Sequence, residues 1–363
     1  MLTEMTTDLT EKFFGLLRYI LGEQNAAPLI SFEEWDSLFT LSVEQSLAGV
    51  VVDGLQRLSG KLKVPEDTIL EWILLSWQIA EANRVTDASA VQLSRQLAEQ
   101  GYSCCLLKGQ GNALLYPQPS ARMSGDIDLW VKGPLRSIIS MARESMPEVQ
   151  PMYHHVEFAP MNGIEVELHY RPSFMYNPIH NRRLQRWFRQ MAPEQFSHVV
   201  ALPGDAGSVS VPTDGFNRIF QLAHIANHVT HEGIGLRQLL DYYYLLKRGF
   251  TDDERRRDEQ LLRRFGLYPV ARAVMYVLQE CFGMKQELLL VPPDEWRGRF
   301  LLKEILLAGN FGQYDQRLAG KHDRLSKNLQ RLKRDLRFLR YFPSECLWEP
   351  VFRWYHFFWR LCH

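Results

Sequence analysis

Leu106-Leu107-Lys108-Gly109-Gln110, followed by Gly125-Asp126-Ile127-Asp128-Leu129-Trp130-Val131, is the stretch on which the reading of this chain turns. The first piece reads as a strand that ends in Lys-Gly and passes into a helix. The second reads as a strand carrying Asp-x-Asp. Side chains alternate faces along a strand, so two acids separated by one residue point the same way. Ile127 and Leu129 then face a core, while Asp126 and Asp128 project together into a cleft. Two like charges held so close favour a cation between them, because their repulsion otherwise raises one pKa.

Outward from this stretch, short apolar or alternating runs at 103–107, 127–131, 155–159 and 164–169 mark a small mixed α/β unit from Gly101 to about Val211. Asn162-Gly163 between the last two runs predicts a hairpin turn. Residues 110–116 predict a short helix, ended by Pro117 and Pro119, and 135–146 a second one. Residues 1–100 read as helices: Phe13, Leu16, Leu17 and Ile20 recur at helical spacing, as do Leu70, Ile73, Leu74 and Trp77. Ser31 before Phe32-Glu33-Glu34 predicts an N-cap with acids in the first turn. Beyond Pro212 the chain is helical again, over 217–230, 235–247, 253–265 and 269–282. A basic stretch from Lys321 to Arg340 then leads into an aromatic tail, Trp348 to Trp359. The expected fold is α+β, with an N-terminal helical region (1–100), a small mixed-sheet core (101–211) and a C-terminal helical region (212–363).

A chain of 363 residues with 46% apolar side chains has enough material for sizeable packed cores. Basic and acidic residues balance at 42 each, which argues against bulk nucleic-acid binding and leaves room for a local basic groove. The five cysteines, Cys104, Cys105, Cys281, Cys346 and Cys362, form no C-x-x-C pair and leave an odd one over, so free thiols are expected. No signal peptide and no membrane-length apolar run is evident, and a cytoplasmic location is expected.

Gly109 at the strand end lets backbone N–H groups approach a phosphate closely. Lys108 offers a point charge there, and Arg122 a second cation from the loop before the acids. Taken alone, Lys108-Gly109 is more simply a buried strand ending in a glycine turn with solvated charge beside it; its pairing with Asp126-x-Asp128 reverses that preference. A third carboxylate completes the set. In Ile164-Glu165-Val166-Glu167-Leu168-His169, Val166 and Leu168 face one way and Glu165, Glu167 and His169 the other. Two metals about 4 Å apart stabilise the attacking and leaving oxygens of an in-line phosphoryl displacement. Asp126 and Asp128 would hold them, and Glu167 would hold one and orient or deprotonate the incoming hydroxyl.

Lys108-Gly109, Arg122, Gly125-Asp126-Ile127-Asp128-Leu129, Glu167-Leu168-His169, and His224 with His228 occur in an order that resembles the DNA polymerase beta-type nucleotidyltransferase superfamily. Within it, the chain is most similar to a bacterial branch of largely uncharacterised nucleotidyltransferases. The resemblance covers roughly residues 25–245. It implies a magnesium-dependent transferase that moves a nucleoside monophosphate from an NTP, ATP first among them, to an acceptor, with Mg2+ as cofactor. Two departures stand out. Gly109-Gln110 replaces the usual Gly-Ser or Gly-Gly, and the interval to the first Asp is longer than the norm. A phosphate contact made elsewhere by serine would then fall to Lys108 or Ser124.

His224, His228 and His231 share one helix face. The spacing suits zinc, but the glutamate of His-Glu-x-x-His is absent, so a polar core contact or a cleft lining is expected instead. Asp241 could orient one of them. Arg237 faces either a phosphate or Asp241 at i+4. Arg324, Lys327, Arg331, Arg334 and Arg337 read as the solvated face of an amphipathic helix, with an acidic partner as the alternative. Phe352, Trp354, Phe357, Phe358 and Trp359 read as a tail docked on the helical core, too short to span a membrane. The acceptor itself is not legible, with a small molecule favoured over a macromolecule. The competing readings are a non-catalytic nucleotide-binding or interaction protein, and a protein- or tRNA-modifying transferase of toxin–antitoxin type.

Overall fold

A computed structural model describes residues 2–58, 62–231, 233–315 and 324–363, with the side chains at 2–7, 230–231, 311 and 324–329 also outside the description. His231, Lys321, Arg324 and Lys327 therefore lie beyond what can be said of side chains. The N-terminal segment consists of α1 (Leu2–Ile20), α2 (Glu34–Glu44), α3 (Ala48–Arg57) and the long α4 (Glu66–Glu99). Then follow β1 (Ser103–Leu106), α5 (Gly109–Ala113), β2 (Ile127–Lys132), α6 (Leu135–Ser145), β3 (His155–Met161) and β4 (Ile164–His169). The sheet order is β1-β2-β4-β3, with β2 and β4 parallel and the other pairs antiparallel. The fold is α+β, a small mixed sheet flanked by helices.

All four expected strands form. Asn162 and Gly163 both adopt positive φ, 52° and 81°, as a two-residue hairpin turn requires. Ile127, Leu129, Val166 and Leu168 are buried on one sheet face against α4 and α6. The opposite face carries Asp128, Glu167 and His169, and the parallel register sets Asp128 beside Glu167. Alternation thus separates core from site.

α7 (Pro178–Ser197) was not anticipated, although Asn177 caps it by accepting from the Ile179 and His180 N–H groups, with Pro178 at the first position. Nor was the hairpin β5 (Val199–Leu202) and β6 (Gly207–Ser210). The helices α8 (Asp214–His231), α9 (Leu236–Lys247), α10 (Asp252–Arg264), α11 (Tyr268–Phe282), α12 (Glu295–Ala308), α13 (Arg324–Leu339) and α14 (Pro343–Leu361) complete the chain. One apolar cluster joins Phe13 and Leu17 of α1, Trp130 of β2, and Phe216 and Phe220 of α8. The three segments therefore share a core. Trp130 packs on Phe196 and Phe216, with ring centroids 4.8 and 5.8 Å away.

Two local expectations change. Ser31 does not cap α2 through its hydroxyl; its backbone N–H donates to the Glu34 carboxylate at 2.8 Å. The stripe Leu70, Leu74 and Trp77 forms on a helix as its spacing predicts, yet these side chains are 60%, 63% and 68% exposed. The five cysteines are free. No helix among the described residues is long and apolar enough to cross a membrane.

Candidate active site

β2 and β4 bring three groups to one point. Lys108 Nζ lies 2.9 Å from Asp128 Oδ1, and His169 Nε2 lies 2.8 Å from the same oxygen and 3.0 Å from Glu167 Oε2. His155, opposite His169 in the β3–β4 ladder, places Nδ1 3.2 Å from Glu167 Oε2. Burial disfavours charge on His169, but its hydrogen bonds to Asp128 and Glu167 outweigh this and raise its pKa to about 9. Burial raises the Glu167 pKa, and the His169 hydrogen bond with the neighbouring cations holds it nonetheless at about 2. Lys108 is likewise held above its ordinary range: the charges of Asp128, Asp126 and Glu167 outweigh its burial. The carboxylates therefore hold positive charge between them.

Asp126 stands one residue before β2, less buried than Asp128, and lines the main cavity with Glu167 and Ser124. Asp128, Glu167 and His169 have ligand atoms within 4.8 Å of one another, as do His154, His155 and His169; neither group includes Asp126. A divalent cation fits this acidic point, where a lysine and an imidazolium already converge. The donors gathered here are mixed oxygen and nitrogen, with Asp126 beside them on the cavity wall.

Gly109 has φ +50°, a left-handed conformation, and a Cβ there would come within 3.5 Å of the Asp126 carbonyl oxygen. The glycine turn thus draws the Lys108 loop against the Asp126 loop. Gln110, which replaces serine or glycine, points away from this turn. Its Nε2 donates to Asp87 Oδ1 at 2.7 Å and Asn83 Oδ1 at 3.2 Å on α4. Asn83 in turn donates to the carbonyls of Ser120 and Arg122, at 3.0 and 2.7 Å. One helix therefore anchors both loops of the site. Gln110 is a structural residue.

Arg122 does not reach into the cleft as a free cation. Its Nε and Nη2 bind Asp241 Oδ1 and Oδ2 at 2.7 and 2.8 Å, and Tyr116 and Asn112 donate to the same carboxylate at 2.6 and 3.2 Å. Asp241 thus holds Arg122 rather than a histidine. Arg237 lines the cavity, and its Nη1 donates to the Met123 carbonyl at 2.8 Å. Burial, reinforced by the charge of Arg122, lowers its pKa to about 10, so it stays cationic at neutral pH.

The cavity, about 960 Å³, extends from these acids to an aromatic wall. His224 and His228 line it from α8, their rings 4.2 Å apart. Burial and the Lys108 charge keep His224 neutral. The C-terminal tail is a helix that docks here by part of its aromatic set: Phe352 of α14 packs on Tyr153, Phe174 and Tyr176 at 5.1, 4.9 and 5.3 Å, whereas Trp354, Phe357 and Phe358 are exposed. Arg331, Arg353 and Arg360 also line this side. Two contributors escaped the sequence reading, the His154-His155 pair and the tail's part in the cavity; the adjacent histidines opening a strand were the available signal for the first.

The family model described as uncharacterised nucleotidyltransferase matches residues 31–283, and the chain belongs to that family. Among solved structures, the chain is similar to an antigenic nucleotidyltransferase-like protein from Paracoccidioides brasiliensis, at 13% identity and a TM-score of 0.29, over 52% of this chain and 89% of that one. No curated protein matches.

Proposed function

We propose that the chain transfers a nucleoside monophosphate from an NTP, ATP first, to a hydroxyl-bearing small molecule. The acceptor oxygen forms a bond to the α-phosphorus as its proton passes to solvent, the bond to the bridging oxygen breaks, and pyrophosphate leaves. The observation that carries this reading is the convergence of Asp128, Glu167 and Lys108 beside a cavity that Lys108, Asp126 and Glu167 line. Asp126, Asp128 and Glu167 would hold Mg2+, which when bound supplies charge stabilisation to the reacting phosphate. Lys108 and Arg237 bring cations to the phosphates, and Gly109 and Ser124 border the same loops. Arg122 acts one step back, fixing the loop that carries Ser124 and Asp126. Glu167, with its pKa near 2, suits holding a cation and orienting the acceptor better than abstracting a proton. A cavity of about 960 Å³ with an aromatic wall suits a small acceptor.

The test is pyrophosphate release from each NTP with Mg2+ across an acceptor panel. Asp128→Ala and Glu167→Ala should each lower turnover at least about a hundredfold. Unchanged turnover in both would sink the assignment. Magnesium-dependent ATP binding without turnover on any acceptor would favour a non-catalytic nucleotide-binding protein.

A further inference from the structure

We infer that His154, His155 and His169, with Glu167 beside them, form a nitrogen-rich site for a transition-metal dication of the zinc class. It is distinct in ligand chemistry from an oxygen site for magnesium. The inference deepens the reading of the transfer site and rests on it for the ion's part in chemistry, though not for binding itself.

The ligand atoms of the three histidines all lie within 4.8 Å of one another, close enough for one ion to draw them together. His154 Nε2 and His155 Nδ1 are 3.0 Å apart, His155 Nδ1 and Glu167 Oε2 3.2 Å, and His169 Nε2 and Glu167 Oε2 3.0 Å. Tetrahedral bonds of 2.0–2.1 Å to zinc imply donor–donor edges of about 3.3 Å. Hydrogen bonding alone fills this cluster poorly. His155 Nδ1 faces both His154 Nε2 and Glu167 Oε2, and one ring N–H cannot serve both well. His169 Nε2 likewise faces two carboxylates, while its Nδ1 is buried with no hydrogen-bond partner. An ion at the centre would take a lone pair from each group at once.

Element selection follows from the donors. Mg2+ requires a near-octahedral oxygen shell and dehydrates reluctantly, whereas imidazole nitrogens suit Zn2+, Co2+ and related ions. Three imidazoles leave a fourth position for water or a carboxylate. Glu167 is within reach of both this set and Asp128, so the two ions would share it.

The test uses full-length protein stripped with a chelator, with no nucleotide present. Titration with Co2+, followed by visible d–d absorption, and with Zn2+, followed by calorimetry, reads the site directly. The expected result is one equivalent bound with a tetrahedral cobalt spectrum, undisplaced by excess Mg2+. His154→Ala/His155→Ala should weaken zinc binding at least about a hundredfold, while Asp126→Asn should retain it. Should the double variant lose its circular-dichroism melt, His155→Gln is titrated in its place with the same expectation. No stoichiometric binding, displacement by Mg2+, or unchanged affinity in the folded histidine variant would overturn the inference. Failure of NMP transfer would leave these readings untouched.

Discussion

Removing the Asp241 carboxylate separates a structural role for Arg122 from a phosphate-binding one. The pair is bidentate at 2.7 and 2.8 Å, and both side chains are about 5% exposed. Asp241→Ala leaves a buried guanidinium, the Tyr116 hydroxyl and the Asn112 amide all short of an acceptor. Breaking a buried ion pair from one side costs about 3–5 kcal/mol. Arg122→Met leaves Asp241 still receiving hydrogen bonds from Tyr116 and Asn112, so its cost falls at the lower end of that range. The double variant Arg122→Met/Asp241→Leu should cost clearly less than the sum of the two. Urea unfolding followed by tryptophan fluorescence and far-UV circular dichroism measures all three, the two probes also testing whether the transition is single. Burial pushes the Asp241 pKa up, but the charge and hydrogen bonds of Arg122 push it further down. An acid depressed in the folded state contributes stability that is fully present above its unfolded value of about 3.9 and is lost as pH falls through the folded value. The gap between wild type and Asp241→Ala should therefore be equal at neutral and mildly acidic pH. A cost below about 1 kcal/mol for Asp241→Ala would refute the argument. So would an Arg122→Met protein of unchanged stability that had lost NTP affinity.

Gly49→Ala should destabilise by about 1–3 kcal/mol in the same urea assay, because a Cβ there would sit 2.3 Å from the Ala121 carbonyl oxygen; a neutral result would mean that α3 shifts freely. Burial, with Glu349 adding to it, raises the Asp335 pKa to about 6. The folded state then binds protons more tightly, so stability from this group is present below the unfolded value and declines as pH rises through 6. Melting temperatures of wild type and Asp335→Asn should therefore diverge between pH 4 and pH 7, with wild type losing ground; a constant difference would be the contrary result. Phe352→Ala should lower stability by about 2 kcal/mol while leaving NTP affinity unchanged by calorimetry, since its partners are Tyr153, Phe174 and Tyr176 rather than the acids.

What was legible in the sequence is what short-range periodicity encodes. Period-two alternation set the strands, and Asn162-Gly163 set one turn, because side-chain direction follows from neighbours in sequence. Asp128 and Glu167 could be grouped because neighbouring strands carry them, while Asp126 stands just before β2. The partner of Arg122 could not be read from sequence, because Asp241 lies 119 residues away. The same holds for Gln110, whose side chain is explained only by Asp87 and Asn83 on α4. α7 was missed because its many Arg and Gln residues blur the apolar stripe, although Asn177-Pro178 announced its start. The exposure of Leu70, Leu74 and Trp77 shows the converse: periodicity dictates that a helix forms, not what its face meets.

The cavity joins parts of the chain that sequence comparison treats differently. The family match ends at residue 283, and it contains every acid of the site together with Lys108, Arg237 and the cavity histidines His154, His155, His169, His224 and His228. The far wall comes from α13 and α14, beyond that limit: Arg331, Glu349, Phe352, Arg353 and His356. α14 is fixed there by more than its rings, since Glu345 Oε2 accepts from the Tyr176 N–H at 2.6 Å and Ser344 from the Asn177 amide at 3.2 Å. Those bonds tie the wall to the segment that follows β4, so its position is coupled to that of Glu167. Under the proposed transfer, the matched segment performs phosphate chemistry and the last thirty or so residues shape what can be placed against it. Grafting α13–α14 from another family member should therefore change acceptor preference and leave NTP preference alone, which a matrix of NTPs against acceptors would measure. A swap that altered NTP preference while acceptor choice stayed constant would show that this division is wrong.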